Sequence, residues 1–181
     1  MKRGKLIVFE GVSGTGKETQ AKLLQTYLAS KKIKSHIVFH PSPSLKPLLR
    51  KAVSTNEQVA LLAKDRKYNV DTNITPAIAR GQWVISLRNY ISAYVYQGNG
   101  KEVEAIDLRP DYLFYFDIDP TVSMKRILSR GEILGKYETP KLLNEKRKKY
   151  KKILQRIPHI TIDASGDIQS IHKIIIKYIS Y

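Results

Sequence analysis

Apolar residues are grouped along this chain in two alternating rhythms. Lys5 to Glu10 is an almost continuous apolar run that ends at a glycine loop, the pattern of a strand buried on both faces. Ala21, Leu23, Leu24 and Leu28 then recur at helical spacing over Lys17 to Leu28. Ile37 to Phe39 predicts a second strand, Trp83 to Ser86 a third, Tyr112 to Phe116 a fourth and Ile160 to Ile162 a fifth. Helical periodicity covers 45 to 53, Glu57 to Ala79 with a break or bend around Pro76, 89 to 97, and 101 to 107. It returns from Pro120 to about Arg130, from about 140 to 155, and from Ile168 to Ile179. Strands that alternate with helices predict an α/β fold: a five-stranded parallel sheet covered by helices on both faces, in three layers. No repeat or linker divides the 181 residues, so a single domain over 1–181 is expected.

Composition narrows this only a little. Hydrophobic residues at 42% and charged residues at 27% are ordinary globular values. No apolar run reaches the roughly 18 residues of a membrane span, and the start of the chain lacks a signal-peptide pattern, so a cytoplasmic protein is expected. Cysteine is absent, which excludes disulfides and thiolate metal sites. The formal charge of +16 suits either an electrostatic funnel for phosphate-bearing partners or a lysine-rich solvated surface. Much of the excess lies between Lys141 and Arg156.

Chemistry enters at the first glycine loop. Gly11-Val12-Ser13-Gly14-Thr15-Gly16-Lys17 fits G-x-x-x-x-G-K directly after a strand and before a helix, the context a phosphate-binding loop requires. Its glycines let backbone N–H groups turn towards phosphate oxygens, and the helix adds the positive end of its dipole. Lys17 would follow the β- and γ-phosphates as a point charge. A triphosphate, ATP by expectation, is the ligand this loop predicts over Gly11 to Thr19. Glu18 stands where a magnesium-binding hydroxyl is usual, followed by Thr19. Two readings stay open for Glu18: a substitute Mg²⁺ ligand, or a solvated acid favoured by the helix N-terminus.

Around and beyond the loop runs an ordered set of segments: Phe9-Glu10-Gly11, Gly16-Lys17-Glu18-Thr19-Gln20, Lys64-Asp65-Arg66, Gly81 to Ser86, Arg88-Asn89-Tyr90 and Ala93 to Gly98. Arg109-Pro110-Asp111, Asp117-Ile118-Asp119-Pro120 and Ile162 to Ser165 complete it. The set carries a resemblance, from about residue 5 to 179, to the thymidylate kinases, which are P-loop nucleoside monophosphate kinases. It implies phosphoryl transfer from ATP to a nucleoside monophosphate, dTMP before others, with Mg²⁺, in a homodimer. By the same resemblance Arg88 binds the acceptor phosphate and Arg66 contacts the thymine carbonyl. Glu10, Leu62, Tyr96 and Gln97 belong to the acceptor side. Arg66 also has an open reading as a structural arginine, and Tyr96 and Gln97 as helix-packing residues. A lid over about 130–139 is implied, with Arg130 as a catalytic arginine, Arg126 beside it and Lys136 in an arginine's place.

The departures cluster in the chemistry. Ser13 stands where the family usually has Asp, Glu18 replaces a hydroxyl, Leu87 replaces the Asp before Arg88, and Leu62 replaces a base-stacking Phe. These changes leave room for two alternatives: a catalytically reduced nucleotide-binding protein with a regulatory or nucleic-acid-binding role, or a kinase with a different acceptor.

Overall fold

In a computed structural model, which describes residues 3–131 and 134–179, the five expected strands form one parallel sheet. They are β1 (Leu6–Glu10), β2 (Ser35–Phe39), β3 (Trp83–Leu87), β4 (Tyr112–Asp117) and β5 (Ile160–Asp163). Their order is β2-β3-β1-β4-β5, with every neighbouring pair parallel. The central strand, β1, is buried at every position, which is why it reads as an unbroken apolar run rather than an alternation.

The helices are α1 (Lys17–Ser30), α2 (Lys46–Lys51), α3 (Thr55–Asn69), α4 (Thr75–Ala79), α5 (Tyr90–Gln97) and α6 (Lys101–Ile106). Then come α7 (Pro120–Leu128), α8 (Pro140–Leu154) and α9 (Ile168–Tyr178). Right-handed crossovers put α1, which carries the chain leftward to β2, on one face, where it meets α9. The rightward connections then place α3 to α8 on the other, where α3, α5 and α6 pack together and α8 rests on α5 and α7. The break expected near Pro76 is a π turn over Val70–Ile74, immediately before α4, which carries Pro76 in its first turn. A proline there needs no N–H bond, so the irregularity falls on the preceding turn.

The chain leaves β1 in one direction and passes from β3 to β4 in the other. Ligands in open α/β sheets collect at the carboxyl ends of strands at such a reversal. Here those ends carry Glu10, Leu87 with Arg88, and Asp117.

Candidate active site

The loop after β1 has the backbone its glycines were expected to permit. Gly11, Gly14 and Gly16 take φ of 141°, 76° and 84°, values that L side chains rarely adopt. The loop is also packed from outside. A Cβ on Gly14 would lie 2.6 Å from the carbonyl oxygen of Ser123, on α7. The Ser123 hydroxyl donates to the Ser13 carbonyl at 2.6 Å, which ties α7 to the loop.

Lys17 folds back over this loop. Its Nζ donates to the Val12 carbonyl at 2.6 Å and to Thr15 Oγ1 at 2.8 Å, and Thr15 donates to the same carbonyl at 3.1 Å. Burial pushes the Lys17 ammonium well below the usual lysine range, and Arg88 and Arg130 act in the same direction. Glu10 and Glu18 oppose them. The charges of Arg88 and Arg130 are thus felt at Lys17, and polyanionic phosphates would relieve that repulsion. Glu18 and Thr19 are both exposed in the first turn of α1.

Arg88 sits at the tip of β3 with a left-handed backbone, φ 77°, and its N–H extends the ladder to the Phe9 carbonyl at 3.0 Å. Its Nη1 donates to Ser92 Oγ at 3.1 Å and to Tyr150 Oη at 2.9 Å. Its Nη2 reaches Tyr96 Oη at 3.4 Å, and the guanidinium lies 4.9 Å from the centre of the Tyr96 ring. Burial alone would weaken its charge, but Tyr96, Tyr150 and Glu10 more than offset that and hold it cationic.

Beneath Arg88 lies Glu10, fully buried at the end of β1. Its carboxylate accepts from the Asn89 N–H, the Ser92 hydroxyl and the Tyr150 hydroxyl, each at 2.8 Å. Burial, followed by the nearby Glu10 charge, raises the Tyr150 phenol well above its usual range, so it stays protonated as a donor. Glu10 therefore holds the two hydroxyls that hold Arg88. Its own oxygens are occupied by protein donors.

The remaining acceptor-side residues separate. Arg66 is 0% exposed, bound to Ser86 Oγ at 3.1 Å and paired with Asp107 at 2.5 Å. Its Nε is buried without a partner among the described residues. Leu62 packs in a small apolar cluster with Leu45, Ala63, Ala93 and Val103. Tyr96 lines the Arg88 side, while Gln97 is partly buried at the end of α5.

Of the lid, Glu132 and Ile133 lie outside the described residues. Tyr137 packs edge-on against Tyr96 at 5.1 Å, and the Lys146 ammonium lies 4.8 Å from the Tyr137 ring centre and 5.4 Å from that of Tyr96. Arg130 is exposed. Arg126 is committed elsewhere, donating to the carbonyls of Ala164, Ser165 and Gly166.

Sequence reasoning missed Ser92, Tyr150 and Lys146 as parts of this site. Tyr150 had shown itself only as an apolar position in a basic helix. Part of that helix's charge is structural: Arg147 grips Asp117 at 2.6 and 2.9 Å, and Lys151 reaches it at 2.9 Å.

A family model for thymidylate kinase matches residues 9–175. The chain belongs to the thymidylate kinase family. It is 39% identical to a thymidylate kinase of Akkermansia muciniphila over 145 residues, 72% of this chain and 70% of that protein. A thymidylate kinase of Pseudoalteromonas translucida is 30% identical over 191 residues, 93% of this chain and 92% of its relative. One from Xanthomonas oryzae pv. oryzae is 34% identical, covering 93% and 79%. The parallel sheet with helices around it is consistent with that family's P-loop fold. Among the described residues, no helix is long and apolar enough to cross a membrane.

Magnesium, which this fold family implies, has few protein donors to meet. Among the described residues no group of three or more His, Cys, Asp or Glu side chains is placed to hold a metal. Glu10 and Asp117 are engaged by protein donors, and Thr15 shares its hydroxyl with Lys17. Glu18 is exposed beside Lys17, and among the described residues its carboxylate makes no hydrogen bond or ion pair. One carboxylate suffices for a magnesium ion that takes its other ligands from phosphates and water, so the donor set fits an ion carried by the triphosphate.

Proposed function

We propose that this kinase moves the γ-phosphoryl group of ATP to dTMP, with Lys17, Arg88 and Arg130 as the groups that meet the transferring phosphate. The observation that carries the assignment is the pairing of a glycine loop that Lys17 folds over with an arginine, Arg88, fixed at the tip of the strand next to β1. An oxygen of the acceptor phosphate attacks the γ-phosphorus in line. The new P–O bond forms as the bond to the β-phosphate bridging oxygen breaks, and ADP leaves. The nucleophile is already an anion, so no general base is needed. Catalysis is positioning and charge neutralisation.

Each residue then has a task. Backbone N–H groups of Gly11 to Lys17 hold the β-phosphate, with Glu18 and Thr19 beginning the helix that points at it. Lys17 exchanges its bonds to Val12 and Thr15 for phosphate oxygens. Arg88 orients the acceptor phosphate, Tyr96, Gln97 and Leu62 form the nucleoside side, and Arg66, buried against Asp107, serves that side as a support from behind rather than by direct contact. Glu10 is read as serving that side through Arg88. Glu18 would hold a magnesium ion that arrives with the phosphates, and the ion would supply charge neutralisation. The chain is further read as a cytoplasmic homodimer.

A coupled ADP-release assay across dTMP, dUMP, dCMP, dGMP and dAMP, with and without magnesium, tests the assignment. Turnover that depends on dTMP and magnesium is expected. Turnover indifferent to every acceptor would sink it.

A further inference from the structure

A cavity of about 530 Å³ opens away from the phosphate loop, between the start of α5, the segment that leads from α6 into β4, and the turn between α8 and β5. That volume suits a small organic ligand. Its lining includes Asn89, which is fully buried. The Asn89 Oδ1 accepts from the Ile91 N–H at 3.0 Å as the cap of α5, which fixes the orientation of the amide. The other end, Nδ2, is buried and has no partner among the described residues. A buried donor left unpaired is unusual enough to call for an acceptor atom.

The rest of the lining says what else such a ligand carries. Tyr90, Leu108 and Ile157 give flat or apolar walls, and Arg109 and Arg156 line the exposed side. No ion pair involves either arginine among the described residues. The acids of the lining are already engaged. Asp107 is paired with Arg66 and accepts from the Tyr90 and Leu108 N–H groups, and Glu104 accepts from Tyr94 Oη at 2.5 Å. The lining therefore combines a buried unpaired hydrogen-bond donor, apolar side chains and two exposed cations.

We propose that this cavity is a second nucleotide site, in which a ring carbonyl meets Asn89 Nδ2 and the phosphate meets Arg109 and Arg156. It is separate from the transfer site but shares supports with it. Asp107 anchors Arg66, and the Asn89 N–H is bound by the same Glu10 that positions Arg88.

Equilibrium dialysis of the full chain against labelled dTMP and dTTP counts the sites. For at least one of the two, a second site per chain is expected. In an Arg109→Ala/Arg156→Ala double variant its affinity should fall at least fivefold, with the first site and turnover unchanged. If that variant loses turnover, Arg156→Glu alone carries the same comparison. A single site per chain for both nucleotides, or a second site that the arginine variants leave intact, overturns the proposal.

Discussion

The two halves of the active site are made of different material. The donor half is backbone: seven consecutive residues, three of them glycines with positive φ, whose shape is set by local sterics and by α7 packed against them. The acceptor half is side chain: Glu10, Arg88, Ser92, Tyr96 and Tyr150, from β1, β3, α5 and α8, held by mutual hydrogen bonds. A backbone cradle survives the loss of single side chains, except the lysine that supplies its charge. A side-chain network fails from its most connected member outward.

Four predictions press on this contrast. The largest effect is expected at Lys17, the one irreplaceable side chain of the donor half. Lys17→Ala should lower kcat/KM by about a thousandfold, roughly 4 kcal/mol of transition-state stabilisation, with the circular dichroism spectrum unchanged. A loss below tenfold would mean the cradle works without its cation.

Next comes Glu10→Gln, which keeps the size but turns an acceptor oxygen into a donor facing three donors. Breaking a buried, charge-assisted network of this kind costs about 2–3 kcal/mol. The acceptor kcat/KM should fall some 30- to 100-fold, with the ATP KM within about twofold of the parent. Equal rises in both KM values would show that the two halves are not separable.

A smaller loss is expected at Glu18. In Glu18→Ala, transfer at limiting magnesium should fall about tenfold, roughly 1.4 kcal/mol, and recover in part at high magnesium. An unchanged magnesium titration would assign Glu18 to the solvent.

The smallest signal is a fraction of a proton. The pKa of Lys17 is lower in the folded chain than in the unfolded one, so between those values the folded chain binds fewer protons. Unliganded stability therefore rises with pH across that window, and the full cost of burying the charge is present below it. Bound phosphates restore the ammonium. ATP binding should take up protons at alkaline pH, seen as a dependence of the binding enthalpy on buffer ionisation. Lys17→Met should abolish it.

The contrast also explains what could be read in advance. A cradle built from consecutive residues is visible as a motif, and the strands beside it as apolar runs. The acceptor network joins residues as far apart as Glu10 and Tyr150, 140 positions, which no local pattern encodes. Arg66 shows the limit most clearly. Its surroundings in the chain suit an arginine facing a ligand, yet Asp107, 41 positions on, pairs with it in the interior. Burial of that kind depends on how α3 and α6 meet, not on the residues flanking the arginine. The basic stretch of α8 is similar, since only the fold reveals that Arg147 and Lys151 close on Asp117.

Arg88 carries one more implication, through its backbone. A left-handed conformation at a residue other than glycine costs about 1–3 kcal/mol in every resting molecule. Glycine at that position would relax the strand tip at no steric cost. What the strain holds in place is a guanidinium bound by Ser92, Tyr96 and Tyr150, which glycine could not supply.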